Sequence, residues 1–237
     1  MSSDISLKEL LQTSAHFGHQ SRRWNPKMAP YLYGVEDGVH LFDLTKTKEA
    51  LQSALDFLRE SSKEGKTILF VGTKKQAKEK VKAVAIACDM PFVSERWLGG
   101  TLTNFDQIKK SISKLTEYKE KMAKGEYSKF TKKERLLIER DIERMEKFLG
   151  GVTNLTGKPD IIFVVDTHKE IGAVKEAVKE GVLLVGIVDS NSDPTPIDYP
   201  IPMNDDAAKA LDYVLGLVQG AILEGKKKQK PEVPKAN

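Results

Sequence analysis

The sequence predicts a doubly wound α/β fold: a mainly parallel sheet of Rossmann or flavodoxin type, with an antiparallel helical hairpin inserted. Three observations carry this. Residues 67–71, 161–165 and 183–188 are continuous apolar runs, the pattern of strands buried on both faces. Each is followed by a stretch of helical character, and such alternation implies crossover helices covering a parallel sheet. Residues 105–149 interrupt the rhythm with two narrow apolar stripes at helical spacing.

Ser6-Leu7-Lys8-Glu9 is a capping-box pattern that opens a short first helix. Residues 31–35 and 39–42 read as short strands around the turn Glu36-Asp37-Gly38. After Thr45, the positions Leu51, Ala54, Leu55 and Leu58 line one face of a long helix. The run 67–71 stops at Gly72, and a helix over about 76–88 and a short strand at Phe92-Val93 follow. In the interruption, Ile108, Ile112, Leu115, Tyr118 and Met122 form one stripe. Leu137, Ile138, Ile142, Met145 and Leu149 form the other, and Thr131 with Glu134 repeats the capping box. A helix over about 169–179, a Pro-rich loop over 194–202 and a last helix over 205–223 complete the pattern. The predicted organisation is a sheet domain from 1–104 and 150–225, a coiled-coil hairpin at 105–149, and a disordered basic tail at 226–237.

Composition narrows the function classes. The 237 residues contain 38 Lys and Arg against 34 Asp and Glu, so the net charge of +4 decides little and the distribution of charge matters more. No apolar run reaches membrane-spanning length, and the first eleven residues lack the apolar stretch of a signal peptide. The single cysteine, Cys88, cannot form an internal disulfide, which fits a reducing cytoplasm, and it ends an Ala-rich helix as a packing residue.

Enzyme signatures are missing where the fold would place them. The turn after Val71 reads Gly72-Thr73-Lys74-Lys75-Gln76, which matches neither of the glycine patterns that cradle phosphates. No G-x-S-x-G occurs. His16 and His19 have i, i+3 spacing without further metal ligands nearby. The late acidic residues Asp189, Asp193, Asp205 and Asp206 are the candidates for holding a structural divalent cation such as Mg²⁺. Turn formation and capping of the last helix by Asn204 or Asp205 are the plainer account.

The N-terminal segment fits a mechanism better. Residues 16–28 interleave Arg22, Arg23 and Lys27 with His16, His19, Trp24 and Asn25 and contain no acid. Cations neutralise phosphates there, and a Trp or His ring stacks on an unpaired base. A solvated basic loop has the same composition.

Five blocks then carry a resemblance: residues 16–28, Phe70-Val71-Gly72-Thr73-Lys74, Arg96-Trp97-Leu98-Gly99-Gly100-Thr101-Leu102-Thr103-Asn104, Val188-Asp189-Ser190-Asn191-Ser192-Asp193-Pro194, and residues 201–207. In this order and separation the chain resembles the bacterial small-subunit ribosomal protein two family over roughly residues 5–225. The resemblance implies an α/β sheet domain with a protruding hairpin, binding to small-subunit ribosomal RNA, and docking of the largest, messenger-RNA-capturing small-subunit protein. It implies a cytoplasmic ribosome component, a structural constituent with no catalysis and no required cofactor. Arg22, Arg23, Trp24 and Lys27 are the first RNA-contact candidates, and Lys74, Lys75, Arg96 and Asn104 follow at loops. Lys109, Lys110, Lys132 and Arg135 on the hairpin are plausible backbone contacts or merely a solvated face. The competing classes are an α/β enzyme or nucleotide sensor using the acidic loop, and an interaction protein assembling through the hairpin.

Overall fold

The apolar runs become the middle of a five-stranded sheet. In the computed structural model, which describes residues 5–228, the strands β4 (Ile68–Val71), β5 (Phe92–Val93), β6 (Ile161–Val165), β7 (Leu183–Val188) and β8 (Tyr199–Pro202) lie in the order β5-β4-β6-β7-β8. Every neighbouring pair is parallel, with Ile68 opposite Ile161, Val165 opposite Ile187 and Val188 opposite Pro202. This is the flavodoxin-like order.

Alternate residues feed two layers. Ile68, Phe70, Phe163, Val185 and Ile201 pack against α2 (Leu44–Lys63), α3 (Lys78–Ala87) and α7 (Ala208–Lys227). Leu69, Val71, Ile162, Val164 and Leu184 pack against α6 (Ile171–Glu180) and the roots of α4 (Phe105–Ala123) and α5 (Lys132–Leu149). Burial on both faces explains why these strands lack polar alternation. Where α7 crosses α2, a Cβ on Gly225 would stand 2.3 Å from the Arg59 carbonyl oxygen, so glycine permits the close approach.

A second, antiparallel sheet joins β1 (Phe17–Gln20), β3 (Val39–Phe42) and β2 (Leu32–Glu36) in that order. Asp37 and Gly38, with φ of +48° and +76°, make the two-residue turn between β2 and β3. Before it, α1 (Leu7–Gln12) begins with the Glu9 N–H donating to Ser6 Oγ.

Several expectations need adjustment. β1 and β8 were not evident: β1 is the short, Gly-containing Phe-Gly-His-Gln, and β8 carries two prolines. The Met203 N–H donates to the Val188 carbonyl, so Pro200 and Pro202 fall on the outer side of this edge strand, where no N–H is needed. The Pro-rich segment is therefore partly strand. The hairpin seam is closed only near its root: Ile108, Ile112, Leu115, Ile142 and Leu149 are buried, whereas Met122 is 40% and Leu137 53% exposed. The root residues belong to the same core layer as the sheet. The last helix starts at Ala208, slightly after the expected Asp205, and without a side-chain cap. Lys226 and Lys227 close that helix, and the rest of the expected disordered tail falls largely outside the described residues.

Candidate functional site

In a sheet of this order, ligands characteristically bind at the carboxyl ends of the strands, where the winding direction switches. Here the switch lies between β4 and β6, and the protein fills it with its own side chains. Lys74 follows β4, and its Nζ lies 2.5 Å from Asp205 Oδ1, 2.7 Å from Asp206 Oδ1 and 3.3 Å from Asp166 Oδ2. Asp166 follows β6 with φ +65°, a left-handed conformation that Asp tolerates. One of its carboxylate oxygens accepts the Lys169 N–H. The Asp205 N–H donates to Asp189 Oδ2 at 3.1 Å, and Glu170 accepts the backbone N–H and the hydroxyl of Thr73.

Charge in this cluster is unequal. Burial works against the Lys74 ammonium, but Asp205, Asp206 and Asp166 outweigh it and raise its pKa. Burial pushes the Asp205 carboxyl up, and the negative charges of Asp189 and Asp166 add to the shift while Lys74 opposes it. An incoming phosphate would meet one cation already neutralised and a surplus of carboxylates, which argues against a nucleotide site.

The four-aspartate expectation fares differently residue by residue. Asp189, Asp205 and Asp206 do converge, and Lys74 supplies a compensating charge; the last helix has Ala207 at its N-cap and no side-chain cap. Asp193 stands apart, accepting from Lys27 Nζ at 2.7 Å and from the Thr195 N–H. Among the described residues, no group of three or more His, Cys, Asp or Glu side chains is arranged to hold a metal ion. In this arrangement the carboxylates face cations that the chain itself supplies, Asp205 and Asp206 at Lys74 and Asp189 at His19.

The basic N-terminal segment lies against the same edge. The His19 N–H donates to Ser190 Oγ at 2.7 Å, and the Asn25 N–H donates to the Ser190 carbonyl at 2.7 Å. Between these two attachments Arg22 and Arg23 occupy a 3-10 turn (Ser21–Arg23), exposed and without an ion pair among the described residues. Trp24 stacks on His40, with ring centroids 4.7 Å apart and planes 30° from parallel. Lys27 is exposed but paired with Asp193. His19 joins the loop to the acidic cluster, with Nδ1 3.0 Å from Asp189 Oδ1. The hydrogen bond to Asp189 raises the His19 pKa against the opposing effect of burial.

A third loop follows β5. Glu176 on α6 accepts from Trp97 Nε1 at 3.0 Å and from the N–H groups of Gly100, Leu102 and Thr103 at 2.8, 3.0 and 3.3 Å. Its carboxyl, partly desolvated, is nevertheless held below the usual range by these donors. The loop so gathered leaves Arg96 exposed at one end and Asn104, the first cap position of α4, exposed at the other. Lys75, Lys109 and Lys110 are exposed as well, as are Lys132 and Arg135 on α5.

The structure thus brings Arg22, Arg23, Lys75 and Arg96 to loops along one edge of the sheet. It withdraws Lys74 and pairs Lys27. Residues not singled out from sequence are Asp166, Glu170, Glu176, Ser190 and His40. Ser190 lay beside Asp189 in a quoted block, and Glu176 had no signal beyond being acidic within an amphipathic helix.

Comparison with known proteins adds the family. The family described as ribosomal protein S2 matches residues 10–225. A protein from a Nitratiruptor species named small ribosomal subunit protein uS2 is 48% identical over 229 residues, covering 97% of this chain and 86% of its own. Proteins of the same name from Coprothermobacter proteolyticus and Rhodospirillum centenum are 46% and 47% identical over 222 and 221 residues. They cover 94% and 93% of this chain and 83% and 85% of their own.

Proposed function

The chain belongs to the ribosomal protein S2 family, whose members are structural constituents of the small ribosomal subunit and not enzymes, and from that premise we propose that it contacts small-subunit ribosomal RNA chiefly through the loop bearing Arg22 and Arg23. One observation carries this reading: two adjacent guanidinium groups stand exposed, free of any carboxylate among the described residues, beside a ring already stacked on its inner side. Unpaired guanidinium groups are suited to bidentate phosphate contacts. Lys75 and Arg96 on neighbouring loops extend the same positive edge, and Asn104, Lys109 and Lys110 continue it onto the hairpin. Lys74 has no part in it, because its charge is already matched internally.

The hairpin carries the second contact in this reading, helping dock the largest, messenger-RNA-binding protein of the subunit. Met122, Phe130, Leu136 and Leu137 expose apolar surface there, as a protein-facing module would. Residues 105–149 then act as an inserted arm whose root is shared with the sheet core.

Arg22→Ala with Arg23→Ala tests the RNA contact. The double variant is expected to melt like the parent and to bind small subunits depleted of this protein at least about tenfold more weakly, with a shallower salt dependence from the two lost phosphate contacts. Unchanged affinity and salt slope would remove this loop from the RNA surface.

A further inference from the structure

The loop that presents Arg22 and Arg23 is closed at both ends on one residue of another element. Ser190, just beyond β7, is fully buried, and it receives the His19 N–H on its hydroxyl oxygen and the Asn25 N–H on its carbonyl, each at 2.7 Å. The hydroxyl is itself oriented. Ser190 Oγ donates to Asp189 Oδ1 at 3.0 Å, which leaves a lone pair to accept the His19 N–H. Packing enforces the same arrangement. A Cβ on Gly18 would stand 2.7 Å from Ser190 Oγ and 3.2 Å from the His40 carbonyl oxygen, so β1 reaches this depth only with glycine there.

We infer that Ser190 is a positioning residue for RNA contact, holding residues 19–25 as a preformed loop in which Arg22 and Arg23 already face outward. The inference rests on the reading of this loop as an RNA surface. Its physical basis is the entropy of ordering. A free segment of this length would lose its conformational freedom on binding, whereas a segment fixed at both ends has lost it on folding. Among the described residues neither arginine holds the loop by an ion pair; the Ser21 N–H and hydroxyl both donate to the Gly38 carbonyl, and the N–H groups at the two ends, of His19 and Asn25, both go to Ser190. Trp24 is fixed separately by its stack on His40.

The test is a cycle on the full-length protein, reading affinity for small subunits depleted of this protein at several salt concentrations. Ser190→Ala in the parent is expected to weaken binding about fivefold while the melt stays cooperative, because an ordering contact is lost and no charge is. In the Arg22→Ala, Arg23→Ala background the same change is expected to cost nothing further, since the groups it positions are gone. Equal weakening in both backgrounds would make Ser190 a general structural staple and overturn the proposal, as would parent-like binding by Ser190→Ala. If the arginine variant alone binds like the parent, the RNA reading of the loop fails and the inference falls with it. Should Ser190→Ala not fold, Gly18→Ala, which pushes β1 off the same hydroxyl, enters the cycle in its place with the same expected outcomes.

Discussion

Lys74 and the pair Arg22-Arg23 make an instructive contrast, because both are basic residues in loops at the carboxyl edge of one sheet. Lys74 is 12% exposed and meets three carboxylates, so it works as an anchor between the ends of β4, β6 and β8. Among the described residues Arg22 and Arg23 meet none and are displayed, because their loop is anchored by neutral hydrogen bonds to Ser190 and to the Gly38 carbonyl. Glu176 repeats the second arrangement: it gathers the loop after β5 through N–H donors and leaves Arg96 free. Where a fold must offer positive charge to a partner, its loops are better fastened by groups that do not neutralise that charge. A basic residue that also fastens is no longer available for binding.

The contrast predicts that anchors and displayed residues respond oppositely to substitution. Lys74→Ala leaves Asp166 and Asp206 without their cation and Asp205 without its hydrogen-bond donor, so it should destabilise the fold by about 3 kcal/mol, the scale of breaking a buried pair. Urea melts would measure it. A loss below about 1 kcal/mol would mean that the cluster is well solvated and that Lys74 resembles a surface lysine after all.

Glu176→Gln should have a smaller effect, about 2 kcal/mol, because the replacement keeps the shape but turns an amide group toward some of the donors that the carboxylate now receives. Loosening of the loop should also change the environment of Trp97, so its fluorescence would shift at temperatures below the main transition. An unchanged melt and spectrum would show that the loop is held by the packing of Leu102 alone and not by Glu176.

How much of this was legible in the sequence follows the same division. The central strands, α2 and the hairpin capping box at Thr131 could be read because each depends on local pattern: apolar runs, helical spacing, a Thr three residues before a Glu. The doubly wound fold, of Rossmann or flavodoxin type, followed from their alternation, and the strand order came from the structure. β8 was hidden because its prolines are tolerated only by the edge position, which is a property of the whole sheet. The role of Lys74 was hidden for a related reason. It is 131 residues away in sequence from its closest partner, Asp205, and nothing near Gly72 distinguishes a lysine that will be surrounded by carboxylates from one that will face solvent. Arg22 and Arg23 were easier because a run without acids has no local partner, and among the described residues the fold pairs neither with a carboxylate.

His19 connects the two regions, and it gives the finest test of how far they are coupled. It sits on the loop side, yet the Asp189 carboxylate, 3.0 Å from its Nδ1, raises its pKa above 6.5, with Asp205 and Asp206 adding to the shift and burial opposing it. A pKa raised on folding means that the folded protein holds the proton more tightly than the unfolded chain does. The resulting stabilisation is complete below pH 6.5 and disappears as pH rises through the folded-state value. Asp205, pushed up to about 8 first by burial and then by Asp189 and Asp166, acts with the same sign, losing stabilisation as pH climbs from about 4 toward 8. Melting temperature should therefore fall between pH 6 and pH 8.5 in the parent. His19→Gln removes one of the two contributions and leaves Asp205 in place, so the fall should persist but shrink by on the order of 2–4 °C. An identical fall in parent and variant would show that His19 is not electrostatically coupled to the carboxylates. The link from the arginine loop to the acidic cluster would then be one of hydrogen bonding through Ser190 and not of charge.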